Sequence, residues 1–174
     1  GGNALCTTYK FLETGEVSIH DDRWLTYPWG VNGGHPGARS TKTLVRSNGD
    51  TELLQSKCDR IKVEDGDILY HVTWGGGGWG DPFTREAERV AFDVDAGLVT
   101  REGAKKNYGV VLSKDCSVNK SATTQLRKTM AKARGKTKLF DKGFTSISEL
   151  KKRCKEETGL EPPETPRFQK WMQA

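Results

Sequence analysis

Through the first 74 positions apolar and polar residues alternate in short runs, the period-two pattern of strands with one buried face. Residues 5–12 (LCTTYKFL) predict a strand, Glu13-Thr14-Gly15-Glu16 a turn, and alternation resumes at 17–19, so the first element reads as a hairpin. Residues 43–47 and 51–55 flank Asn48-Gly49-Asp50, and Asn-Gly is the strongest short hairpin signal because both positions tolerate positive φ. Residues 61–63 alternate, Glu64-Asp65-Gly66-Asp67 turns, and 68–74 (ILYHVTW) predict a strand running into four glycines. Short strands at these intervals predict a small sandwich or barrel. Between them, Trp24 to Gly30 and the glycine-rich stretch 30–37 interrupt regular structure.

Beyond Pro82 the period changes to that of helices. Residues 84–93 offer Thr84 as N-cap, Glu86 in the first turn and Ala87, Val90 and Ala91 on one face. Asp95-Ala96-Gly97 ends that helix, and a second begins at Thr100, turns Ala104 inward and closes at Asn107, before a short strand at 108–112. Helices are predicted at 122–133 and 146–157, and Pro162, Pro163 and Pro166 break any further helix ahead of Phe168 and Trp171. The expected class is α+β: a β-rich sandwich or barrel-like core, then packed helices and a basic helical tail.

Composition narrows the function classes. The 174 residues suit one domain with an appendage, and the absence of an apolar window of ~18 residues or of a leader predicts a cytoplasmic protein with no membrane partner. A start at Gly-Gly-Asn predicts a piece of a longer polypeptide. Cys6, Cys58, Cys116 and Cys154 are too scattered for a zinc site or a disulfide scaffold and are read as reduced thiols. The net charge of +5 comes from the tail, where residues 113–174 hold 15 Lys and Arg against 7 Asp and Glu. Charge alone suggests nucleic acid, but Lys and Arg mix with Glu at helical spacing in 149–157, as on a solvated helix face, and no RNA-binding aromatic signature or zinc-finger spacing accompanies them. Nucleic-acid binding is therefore not expected.

The chemistry centres on Thr73-Trp74-Gly75-Gly76-Gly77-Gly78-Trp79-Gly80-Asp81-Pro82. Four successive glycines are destabilising unless the loop needs positive φ or a close approach of backbone or ligand. Trp74 and Trp79 are expected to pin the loop from both sides. Gly75-x-Gly77-x-x-Gly80 matches the dinucleotide fingerprint, yet Asp-Pro stands where the helix should begin, and everything upstream reads as hairpins. No Lys-Ser or Lys-Thr follows, so a phosphate-cradling loop is absent too. His20 beside Asp21 and Asp22 reads as a polar hairpin end rather than a metal site, and His71, inside a strand, as a framework imidazole. His35, in a glycine loop, is the best-placed histidine for a ligand. Asp81 is expected to tie down its own loop and Arg85 to pair with a nearby carboxylate. The substrate-binding candidates are Gly34, His35 and Gly37 in the first glycine loop and Gly76, Gly77 and Asp81 in the second. No catalytic or metal-ligating residue is assigned.

These residues carry a family resemblance. The run 73–82, then Arg85, Val90, Asp93-Val94, Gly97-Leu98-Val99-Thr100, Ala104 and Tyr108-Gly109-Val110-Val111, resembles the carboxy-terminal signature of the hydantoinase B/oxoprolinase family. Upstream, Tyr9-Lys10-Phe11-Leu12, Asp22-Arg23, Pro28-Trp29-Gly30, Gly33-Gly34-x-x-Gly37 and Glu64-Asp65-Gly66-Asp67 are similar to further pieces of it. The resemblance covers residues 1–112, the C-terminal β-rich domain, while 113–174 form an extension that resembles nothing in the family. It implies the end of a B-like part several times longer, within an ATP-dependent enzyme acting on a cyclic amide such as 5-oxoproline or a hydantoin, or on a ketone. It further implies that ATP and a divalent cation serve the complete enzyme, held by a hydantoinase A-like partner, with no cofactor bound by this chain. The other reading is a non-catalytic binding or scaffold module that retains the fold.

Overall fold

The computed structural model describes residues 1–164. Along this stretch run the strands β1 (Cys6–Lys10), β2 (Gly15–His20), β3 (Gly30–Val31), β4 (Thr41–Val45), β5 (Thr51–Leu53), β6 (Lys57–Val63) and β7 (Ile68–Val72). A 3-10 turn at Pro82–Thr84 leads to the helices α1 (Ala87–Asp95), α2 (Arg101–Tyr108) and α3 (Lys120–Arg134), then strand β8 (Phe140–Asp141) and helix α4 (Ile147–Thr158). The class is α+β, as the change of period predicts. Segments of two compact units alternate along the chain. Leu5–Tyr27, Arg39–Trp74 and the chain from Phe144 form a β-rich unit, and Gly1–Ala4, Pro28–Ala38 and Gly75–Gly143 form a helical one. The last breaks expected from sequence, at Pro166 and around Phe168 and Trp171, lie outside the described residues.

In the β-rich unit an antiparallel sheet ordered β1-β7-β4-β5 and a two-stranded sheet β2-β6 contribute to one core of Ile19, Leu44, Leu54, Val63 and Leu69. This is the sandwich alternative; no closed barrel forms among the described residues. Strands β1 and β2 do not make the expected hairpin, because β1 pairs with β7 and β2 with β6. The polar turns 11–14 and 64–67 are both corners between the sheets. Phe11 N donates to Asp67 O and Gly66 N to Phe11 O, at 2.9 and 3.0 Å, so the two corners hold each other. The buried Asp67 carboxylate accepts from Ser47 N, Glu64 N and Arg46 Nη1. Burial raises the pKa of this group, but those donors outweigh it and leave the carboxyl below its ordinary range.

The β4–β5 hairpin forms as predicted, with a different turn. Arg46 N donates to Asp50 O, Gly49 N donates to Arg46 O, and of the central Asn-Gly pair only Gly49 takes positive φ, at 92°. Opposite β2, β6 carries a bulge at Arg60 (φ 55°), which lets both Cys58 and Ile61 pack against the core although they are three apart in sequence. Helix α4 buries Leu150 and Cys154 in this unit. Its Glu157 accepts from Tyr27 Oη at 3.0 Å and from Arg39 Nη2 at 2.9 Å.

The helical unit packs α1 and α2 around Val90, Ala104 and Val110. Thr84 is not the N-cap of α1. Asp81 caps the 3-10 turn by accepting from Phe83 N, Arg85 is extended, and α1 starts at Ala87. Thr100 caps α2 as expected. The strand expected at 108–112 is absent: α2 runs through Tyr108, Gly109 closes it in the left-handed region, and Val110 turns into the helical core. Helix α3 is tied in by Arg127, which donates to Tyr108 O and Arg85 O. Residues 113–164 thus supply α3 and β8 to this unit and α4 to the other.

Candidate functional site

Within the helical unit the two glycine loops lie against one another along their backbones. Val31 N donates to Gly78 O, Gly80 N to Val31 O, Gly78 N to His35 O and Gly76 N to Gly2 O, all at 2.8 to 2.9 Å. On its other side, β3 pairs with β8. A Cβ on Gly34 would stand 2.1 Å from Gly78 O, one on Gly37 2.2 Å from Gly75 O, and one on Gly77 1.9 Å from Trp29 O. None of residues 75–78 has positive φ. Close backbone approach is therefore what the glycine run is for. The indoles do not clamp it as expected: Trp79 is 78% exposed, and Trp74 belongs to the β-rich unit.

Over this ladder lies a cavity of about 560 Å³ whose lining includes Gly34, His35, Gly76, Asp81, Arg85 and Tyr108. Four of the six substrate-binding candidates line it. Gly37 and Gly77 do not, and instead set the spacing of its wall. Asp81 accepts from Arg134 Nη1 and Nη2, both at 2.7 Å, and from Phe83 N at 2.9 Å. The Arg134 hydrogen bonds hold the Asp81 carboxyl below its usual range. Burial opposes them, while the Phe83 N–H and the charges of Arg134 and His35 assist. Arg134 also lies over the Phe83 ring at 4.6 Å. Arg85 pairs with Asp93 at 2.6 Å, as expected of an arginine at a helix entry.

Arg134 escapes a reading of the sequence, where it is only one more cation just past the helix predicted at 122–133. The remaining candidates are dispersed. In the β-rich unit His20 pairs with Asp59, Asp21 with Lys42, and Asp22 with Lys57. Among the described residues no three His, Cys, Asp or Glu side chains gather as a cation site. All four cysteines are free thiols. No helix among the described residues is long and apolar enough to cross a membrane.

The fold recurs in solved structures. The structure of the ATP-dependent caprolactamase from Pseudomonas jessenii is similar, with a TM-score of 0.61 and 25% identity over 74% of this chain and 23% of that chain. Residues 1–82 match the hydantoinase B/oxoprolinase family model, and this part of the chain belongs to that family. A Pseudomonas sp. (strain NS671) protein assigned as the B-type subunit of a D-/L-hydantoinase is 32% identical over 130 residues, 74% of this chain and 22% of its own. The 5-oxoprolinase 1 of Arabidopsis thaliana is 36% identical over 80 residues, 46% of this chain and 6% of its own. The chain thus spans less than a quarter of the length of these relatives.

Proposed function

We propose that this chain is the C-terminal part of an ATP-dependent hydrolase acting on cyclic amides. In this reading the cavity over the glycine ladder forms one wall of the substrate site or the contact with the ATP-using part. The observation that carries the proposal is the ladder itself: glycines hold two backbones in contact and leave His35, Asp81 and Arg85 around one cavity. An amide is a poor electrophile, and phosphorylation of its oxygen creates a leaving group. A hydantoinase A-like partner would carry out that activation, and the remainder of the B-like part would complete ring opening. Gly34, His35, Gly76 and Asp81 would face the ring, while Gly37 and Gly77 keep the wall rigid and help exclude water. Residues 1–112 would be the family-derived part and 113–174 its extension. ATP and a divalent cation would serve the complete enzyme through the ATP-using part, with no cofactor bound by this chain.

A second reading, a non-catalytic module, is favoured by one feature: the Asp81 carboxylate is already engaged by Arg134 and Phe83 N. The test is made in the complete enzyme with its ATP-using partner. His35→Ala is expected to lower ATP-coupled ring opening by about 100-fold with the fold intact, the scale of a lost proton-transfer or positioning group. Unchanged turnover in both His35→Ala and Asp81→Asn would favour the module.

A further inference from the structure

In the helical unit β3 is the middle strand of a narrow ladder, with β8 on one side and residues 78–80 on the other. Its Val31 pairs with Phe140 of β8 and is bridged to Trp79. Paired residues on neighbouring strands point to the same face, so Trp79, Val31 and Phe140 form one row. Trp29, two residues before Val31, falls on that face by alternation. The opposite face is closed by the chain at 34–35: a Cβ on Gly30 would stand 1.9 Å from Gly34 O. On the open face Trp79 is 78%, Phe140 59% and Trp29 54% exposed. Trp79 also lines the cavity over the ladder, so the open face borders the candidate site.

Contiguous apolar surface of this kind marks interaction sites, and Trp is among the residues most enriched at the energetic centres of protein interfaces. The surroundings are cationic. Lys138 and Lys142, both exposed, stand two residues either side of Phe140, and residues 101–142 hold 12 Lys and Arg against 3 Asp and Glu. A second copy of this chain would bring the same charge to the face and be repelled. A single-stranded nucleic acid matches the charge, but Val31, at the centre of the row, offers no ring on which a base could stack. A protein surface with an apolar centre and an acidic rim matches both the row and the lysines. Protein to supply it is at hand, since the chain spans less than a quarter of the length of its relatives. We propose that the Trp79–Val31–Phe140 face docks such a surface on the ATP-using part of the enzyme, an inference that rests on the proposed function.

The probe is the ATP-using part itself, titrated as a separate protein into the complete B-like protein, with Kd read by calorimetry or sedimentation. Trp79→Ala and Phe140→Ala are each expected to raise Kd about 30-fold, the scale of an interface hot spot. Lys142→Glu should slow association and flatten its dependence on salt. Leu12→Ala is the control, a side chain 77% exposed in the β-rich unit that should leave Kd unchanged. Hydroxyl-radical labelling needs no variant: in the parent protein Trp79 and Phe140 should be labelled freely, and protected once the ATP-using part is added. An unchanged Kd in both aromatic variants, or an equal loss in Leu12→Ala, would overturn the inference. Labelling that does not change on addition would do the same, as would saturable binding of a dT12 oligonucleotide abolished by Trp79→Ala. None of these readouts needs turnover. A complex that forms through this face yet opens no ring would count against the proposed reaction alone.

Discussion

The substitution Gly77→Ala adds one methyl group to the ladder. Its Cβ would stand 1.9 Å from Trp29 O and 2.7 Å from Trp29 C, whereas real Cβ contacts essentially never fall below 3.0 Å. The loop carrying Gly77 must therefore retreat by about 1.1 Å from the carbonyl of Trp29. A shift of that size takes the 2.9 Å bond Val31 N to Gly78 O and the 2.8 Å bond Gly78 N to His35 O out of hydrogen-bonding range. Two lost backbone bonds at about 1 kcal/mol each give a destabilisation of ~2 kcal/mol. In a chain of this length ~1 kcal/mol moves the melting temperature by about 2 to 4 °C, so a fall of ~4 to 8 °C is expected by calorimetry or circular dichroism. Gly77→Val should fall further, because its branches add to the same clash. Gly15→Ala is the control: nothing lies within 4 Å of its Cβ and its φ is not positive. It should be neutral or slightly stabilising through the unfolded chain. A Gly77→Ala melting point within a degree of the parent protein would refute close approach as the reason for the glycines.

Arg134→Met should cost about 2 kcal/mol at neutral pH, the scale of charge-assisted hydrogen bonds lost from a side chain only 24% exposed. Because the folded Asp81 pKa is depressed, the pair's contribution is complete above the ordinary Asp value near ~3.9 and drains away as pH falls through the lower folded value. The gap between parent and variant melting points should accordingly close in acid; a gap that stays constant to low pH would count against the pairing. Asp67→Ala should lower the melting temperature by leaving Arg46 and the Ser47 and Glu64 amides without their shared acceptor, with hydrogen exchange rising at Ser47 and Glu64; unchanged exchange there would count against it. Thiol titration of the native chain should find Cys6 reacting at once and the fully buried Cys154 only on unfolding. The chain by itself is expected to show background rates in coupled ADP-release and 5-oxoproline opening assays, and robust turnover dependent on His35 would overturn the proposed division of labour.

Much of the local structure was legible in the sequence because its causes are local. Asn48-Gly49 made a hairpin, Thr100 capped a helix, and Gly97 lay just past a helix end. The glycine run announced itself as a place where a Cβ cannot be tolerated. What the sequence could not settle was partnership across distance. Alternation in β1 and β2 shows that each has a buried face but not which strand lies beside it, and the corners at 11–14 and 64–67 look like ordinary hairpin turns until Phe11 and Asp67 are seen to bind each other. Trp74 and Trp79 were natural anchors by composition, yet backbone hydrogen bonds between two glycine loops hold the structure and leave Trp79 in solvent. Arg134 reached Asp81 across 53 residues, and nothing in its helical neighbours marks it out, because an ion pair of that separation exists only once the helix that carries it has packed.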